Sequence, residues 1–297
     1  LANQFDDILS LAVFCPSIST ACVTLFSYYM MNKRSLSLHV LKSSPSGNIT
    51  SLVFSPVERS LHADVSQAIM RLQPDVEQVG FAEPASSPDA LGRLQMMGGE
   101  FCGNATSAFF YTLASRLHVT SGQVEVSGKS APLQVSVAAN SVTLSLQETL
   151  TLFPSPSASA AALVEMEGIS HLLCDCPAPT DKAASARQLM QEHDLLERAA
   201  AGVIFLEQHS NGASITPVVW VKATGSLVEE SACASGSMAV ALWLSAQEPT
   251  RPQPVEIRQP SGELISLQTK WLTPHQAVLQ MQSQVHPLED TDLTLEI

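Results

Sequence analysis

Charge is scarce in this sequence. Only 14% of its 297 residues are charged, against 45% hydrophobic, too apolar a balance for a chain that stays mainly disordered. Positive charge is the scarcer sign, since 15 Lys and Arg face 28 Asp and Glu and leave a net charge of -13. A surface that tracks nucleic-acid phosphates or anionic lipid needs the opposite sign, so nucleic acid and membrane are excluded as partners. The six cysteines, at 15, 22, 102, 174, 176 and 233, are too few and too irregular for a disulfide scaffold. Free thiols in a reducing cytoplasm are expected instead. A clean apolar run is also lacking: Ile8 to Tyr29 is broken by Pro16 and several Ser and Thr and follows Asp6 and Asp7. That segment has neither the positive start of a secretory signal nor about 20 uninterrupted apolar residues for a span.

The length allows one large or two medium domains at roughly 150 residues each. Met30 and Met31 precede a sharply alternating segment, Leu36, Leu38, Val40, so the folded core is expected to start near Met31, with 1–30 an upstream extension or a frayed helix. A turn at Ser44 to Asn48 and the run Leu52-Val53-Phe54 complete a hairpin pattern. A short helix is expected over 64–72, a strand over Glu77 to Phe81, and a loop at 84–88. The Pro/Ser/Ala segment 154–162 reads as a connection, and 183–200 as a polar-faced helix.

One pattern occurs twice. Gly98-Gly99-Glu100-Phe101-Cys102-Gly103-Asn104 runs into an apolar helix through Ala105, Ala108, Phe109 and Leu113, and Ser231-Ala232-Cys233-Ala234-Ser235-Gly236-Ser237 runs into another through Met238, Val240 and Trp243. The cysteines are 233 − 102 = 131 residues apart, and Glu125 and Glu256, in the strand pairs that follow, are 256 − 125 = 131 apart. A shared offset for a cysteine, its helix and the next hairpin implies a duplicated unit. The expected fold is α+β: two pseudo-symmetric halves, each a strand-rich, barrel-like sheet wrapped around a central helix. The first half takes 31–140 with 275–297, and the second takes 141–274.

A cysteine at a helix start meets unpaired N–H groups and the positive end of the helix dipole, which favour thiolate, so both thiol pKa values are expected to fall. Small residues after each cysteine let an anion such as a carboxylate approach the amides. If the halves face each other, one thiolate can take a proton from the carbon beside that carboxylate. The opposite thiol then returns a proton to the other face, which is two-base inversion with no cofactor. A thiol redox protein is the alternative, although neither site is Cys-x-x-Cys. His171-Leu172-Leu173-Cys174-Asp175-Cys176 offers no complete four-ligand set, so no metal is expected. Glu77 reads equally as a solvated strand-end charge, and Glu230 as a complement to the following helix start.

Around Glu100 to Thr106 and Glu230 to Gly236 the chain resembles the diaminopimelate epimerase superfamily of cofactor-independent racemases. Within it, the chain is most similar to the histidine racemases of metallophore pathways. Pro45-Ser46-Gly47-Asn48-Ile49-Thr50, Glu77-Gln78-Val79-Gly80-Phe81 and Gln259-Pro260-Ser261-Gly262 carry the likeness from about residue 36 onward. The resemblance implies an isomerase, with Cys102 and Cys233 as the acid/base pair. It also implies that Asn48, Glu77 and Glu230 contact a small amino acid, and that amides around Gly103, Asn104, Ser235 and Gly236 hold its carboxylate. It leaves room for a homodimer.

Where the epimerases carry arginines for a distal carboxylate, this chain has Thr224-Gly225 and Ser107. Without a bidentate guanidinium, diaminopimelate is disfavoured, and histidine leads over another small amino acid. Ala234 replaces the usual glycine after the second cysteine. Gly168-Ile169-Ser170-His171 only faintly matches an epimerase Gly-Asn-Pro-His element, so no role is assigned to His171.

Overall fold

A computed structural model of the chain describes residues 35–154 and 160–297. The expected extension over 1–30, the start at Met31 and the middle of the 154–162 connection lie outside the described residues.

The first run of elements is β1 (Ser35–Pro45), β2 (Thr50–Val53), α1 (His62–Leu72), β3 (Gln78–Glu83), β4 (Ala90–Met96), α2 (Gly103–Leu117), β5 (Ser121–Val126), β6 (Leu133–Ala138) and β7 (Ser141–Thr149). β8 (Thr151–Pro154), β9 (Ala162–Met166), β10 (Ile169–Asp175), α3 (Lys182–Glu192), β11 (Ala200–His209), β12 (Gly212–Val221) and β13 (Ser226–Glu229) follow. The chain closes with α4 (Ala234–Gln247), β14 (Val255–Arg258), β15 (Leu264–Thr273) and β16 (Gln276–Glu296).

The two runs repeat one topology. β2 is parallel to β3 across α1, and β10 is parallel to β11 across α3. β4 is parallel to β5 across α2, and β12 is parallel to β14 across α4. Each parallel pair needs a crossover, and each crossover here contains a helix, as strand geometry requires. β16 serves both runs. Its residues Gln276–Gln284 pair with β7 and Gln276–Gln282 with β15, while Val285–Glu296 pair with β1 and close the first sheet into a ring.

α2 and α4 are the central helices. α4 is apolar on every face and is buried from Ala234 through Ser245, the pattern of a helix with sheet all around it. One apolar core joins the helices, with Phe109 and Phe110 of α2 and Val240, Leu242 and Leu244 of α4 in the same cluster. Burying each of these side chains contributes about 1.5–3 kcal/mol. The outer helices cover smaller cores: Val65 and Ile69 of α1 meet Val79 and Phe81, and Ala186 and Met190 of α3 meet Val203 and Phe205.

The helix expected over 183–200 is shorter. It ends at Glu192, Asp194 adopts a left-handed φ of 56°, and a single 3-10 turn over Leu195–Glu197 leads to β11 at Ala200. Alanine favours helix, but Ala200 and Ala201 are buried and paired with β12, so tertiary pairing overrides propensity.

Candidate active site

Cys102 and Cys233 are the N-caps of the two central helices and share one backbone geometry, φ/ψ −131°/112° and −132°/103°. The amide three residues on donates to each sulfur, Ala105 N–H to Cys102 Sγ at 3.4 Å and Gly236 N–H to Cys233 Sγ at 3.3 Å. The hydroxyl four residues on donates back to each cysteine carbonyl, Thr106 Oγ1 and Ser237 Oγ, both at 2.7 Å. The duplication read from the sequence therefore extends to individual hydrogen bonds.

Both cysteines line one narrow cavity, together with Glu77, Glu100, Asn104, Glu230 and Ser235. The helix starts almost touch there. A Cβ on Gly103 would lie 2.8 Å from the Cβ of Ala234, so the glycine lets the alanine across from it be tolerated. Asn48 is fully buried behind the wall. Its side-chain amide donates to Glu77 Oε2 at 3.0 Å and to the Ala232 carbonyl at 3.1 Å, and Ser231 N–H donates to the same Glu77 oxygen at 2.8 Å. Asn104 Nδ2 also donates to the Ala232 carbonyl, at 2.8 Å. Asn48, Glu77 and Asn104 thus tie the first-cysteine region to the loop before the second cysteine.

Each thiol has further partners. Cys102 donates to Gln78 Oε1 at 2.9 Å, and Gln78 is itself held by Asn48 Oδ1 at 2.7 Å and Thr50 Oγ1 at 2.8 Å. The Cys233 thiol feels the nearby Glu230 carboxyl and lies 3.6 Å from Ser235 Oγ, which is 3.0 Å from His171 Nε2. His171 is fully buried, and burial alone drives its pKa down to about 3, so the ring is neutral. Gly202 makes room for it, since a Cβ there would lie 2.4 Å from Nδ1. Neither Gln78 nor His171 stands out in the sequence. Gln78 lay inside the Glu77 to Phe81 segment, whereas nothing local in the sequence marks a contact between His171 and Ser235, 64 residues apart.

The expected fall in thiol pKa is not what the site produces. Burial pushes Cys102 up to about 12 and Cys233 well above its ordinary value, with the Glu230 charge adding to both. The helix-start amides pull the other way but lose, because withholding water from a thiolate costs more than one long N–H contact returns. Cys102 keeps some accessible surface, while Cys233 is 3% exposed. Burial also raises the carboxyls, Glu100 to about 7 and Glu230 to about 8, and Glu77 in the same direction. The solvated reading of Glu77 gives way to a half-buried carboxyl on the cavity wall, where half-buried Glu230 also lies. Among the described residues no Arg, Lys or His lines the cavity.

The family model described as "Histidine racemase CntK N-terminal domain" matches residues 37–288. The chain belongs to the histidine racemase family. A histidine racemase of Fusobacterium nucleatum is 30% identical over 72% of this chain and 83% of its own length, and one of Staphylococcus aureus 25% identical over 75% and 86%. Among solved structures, a hydroxyproline epimerase from Agrobacterium vitis with bound trans-4-hydroxy-L-proline superposes with a TM-score of 0.64. It is 12% identical, over 88% of this chain and 92% of that one. A phenazine biosynthesis protein of the PhzF family from Enterococcus faecalis gives 0.54 at 11% identity, over 88% and 100%. At these identities the structures establish the shared fold. The family is one of isomerases acting on small amino acids. Among the described residues no helix is long and apolar enough to cross a membrane, and no group of three or more potential metal ligands occurs.

Proposed function

We propose that this chain racemises histidine without a cofactor, with Cys102 and Cys233 as the two bases. The observation that carries the reading is the pair of helix-capping cysteines lining one cavity that also holds three carboxyls and no side-chain cation. Of the amides expected to hold the substrate carboxylate, those of Gly103, Asn104 and Ser235, with Ala234 beside it, precede any intrahelical acceptor and suit it, whereas the Gly236 N–H is taken by Cys233 Sγ. In one direction a thiolate takes the α-hydrogen: the C–H bond breaks, an S–H bond forms, and the electron pair delocalises into the carboxylate. The opposite thiol then gives its proton to the other face of the carbon, leaving a thiolate there. Turnover in the reverse direction exchanges the roles.

A thiolate is scarce in the empty site, because burial and Glu230 oppose it. The substrate supplies the missing positive charge. An α-ammonium among three carboxyls offsets their repulsion and lets the nearby Glu230 carboxylate accept the Cys233 proton, which leaves Cys233 a thiolate and Glu230 a neutral acid. Histidine is favoured by the named activity of the relatives and by the absence of an arginine facing a distal carboxylate. The halves divide as 31–140 with 275–297 against 141–274, with the cavity between them. Facing thiols need a reducing compartment, which favours the cytoplasm, and the family resemblance makes D-histidine a precursor for metallophore assembly.

The test is α-hydrogen exchange in D₂O followed by NMR, with L-histidine beside L,L-diaminopimelate and a small amino-acid panel. Exchange and loss of optical activity with histidine are expected. No exchange with any of these substrates, with the thiols reduced, overturns the racemase reading.

A further inference from the structure

We propose that Glu100 is a specificity-determining residue whose carboxyl binds an N–H group on the substrate side chain, a ring nitrogen when the substrate is histidine. The inference rests on the racemase reading and assigns the residue that reads the side chain.

Among the described residues three carboxyls line the cavity, and two of them face the second-cysteine loop: Glu77 Oε2 accepts from Ser231 N–H and Asn48, and Glu230 lies close enough to the Cys233 thiol to act on it. Glu100 is only 5% exposed and receives the Gly98 N–H at 2.9 Å on Oε2. Among the described residues no side-chain cation lines the cavity with it. A buried carboxyl with like-charged neighbours is costly unless a donor or cation reaches it, and here that donor can arrive with the ligand.

A second observation points to the same ligand. Asn104 Oδ1 lies on the cavity wall in a side chain 1% exposed and has no hydrogen-bond partner among the described residues. Asn104 sits two residues after Cys102, beside the thiol that acts on the α-carbon, so its free carbonyl suits the α-ammonium. Glu100 is then left for the side chain. Val219, Val221 and Val228 line the same cavity and give a flat ring an apolar wall. A planar side chain with an N–H at its edge fits that combination of wall and acceptor, whereas an apolar ring leaves Glu100 buried and unpaired.

The test is calorimetric binding of L-histidine and of L-β-(2-thienyl)alanine, a similar flat ring without N–H groups, to the whole reduced protein and to Glu100→Gln. α-Hydrogen exchange of histidine by the unsubstituted protein is recorded beside it. Histidine is expected to bind at least about tenfold tighter than the thiophene, and Glu100→Gln to reduce that preference at least about tenfold. A merely structural Glu100 would weaken both ligands alike, so an unchanged preference in the variant overturns the inference. If the variant does not fold, the two ring-N-methyl histidines replace it. At least one is expected to bind about tenfold weaker than histidine, and both binding as well as histidine overturns the inference. Exchange with an unchanged preference rejects the role of Glu100 and leaves the racemase standing. A preference lost in the variant without any exchange rejects the racemase and keeps the binding role.

Discussion

The side-chain amide of Asn104 donates to the carbonyl of Ala232 at 2.8 Å, joining the residue two after the first cysteine to the residue just before the second. Asn48 donates to the same carbonyl at 3.1 Å from the first hairpin. Two donors from one sequence region thus converge on a single acceptor of the other, and they fix how far apart the helix starts stand.

That convergence predicts non-additive losses. Asn104→Ala alone leaves the Ala232 carbonyl one partner and should cost on the order of 1 kcal/mol, while Asn48→Ala should cost about 2–4 kcal/mol because it also strips partners from Glu77 and Gln78. The double variant leaves a buried carbonyl without either and should cost about 0.5–2 kcal/mol more than the sum. Urea unfolding of the four proteins reads the difference, and simple additivity would show that the shared acceptor is not a coupling point.

Lys129 and Glu148 form a buried ion pair, at 2% and 1% side-chain exposure. The Lys129 ammonium also lies 4.4 Å from the centre of the Phe101 ring, next to Cys102, and Glu148 accepts the Glu167 N–H at 2.7 Å. Lys129→Met should destabilise by about 3–5 kcal/mol, because it strands a buried carboxylate. Lys129→Met with Glu148→Leu should recover much of that loss in the same denaturant titration. Equal losses in the single and double variants would contradict this account of the pair.

How much of this was legible in the sequence differs by level. The repeated cysteine-plus-helix pattern was legible because capping and small-residue turns are local signals, and the offset of 131 reappears as matched bonds from Thr106 to Cys102 and from Ser237 to Cys233. Parallel pairing across α1, and again across α3, was less so, since strand partners many residues apart leave no local trace. The thiol pKa values went against expectation for a similar reason: a helix N-terminus can be read from residues, but the water excluded around Cys233 depends on what folds over it. In the sequence Glu100 is no more than one letter of a motif, because its burial and its surroundings are properties of the assembled cavity.

The raised carboxyls set a pH dependence of stability. Glu100 moves from 4.5 to about 7 and Glu230 from 4.5 to about 8 on folding, so between those values the folded chain holds more protons than the unfolded one and stability falls as pH rises. His171, lowered from 6.5 to about 3, acts oppositely, adding stability as pH rises toward 6.5. The terms offset one another below about pH 6.5; above it the carboxyls dominate, and towards pH 8.5 the raised thiols of Cys102 and Cys233 begin to act in the same direction. Thermal unfolding without substrate should show a loss on the order of 1–2 kcal/mol from about pH 6.5 to 8.5. Glu230→Gln should flatten that slope, and a slope unchanged by the substitution would contradict the assignment.

The central claim is that two sulfurs work on one carbon from opposite sides, and the most direct measurement is racemisation by Cys102→Ala and Cys233→Ala, with L- and D-histidine as starting material. The account predicts folded variants that each lose at least about 100-fold in racemisation from either enantiomer, since losing either acid/base group halts inversion. Near-normal turnover by either variant would contradict it.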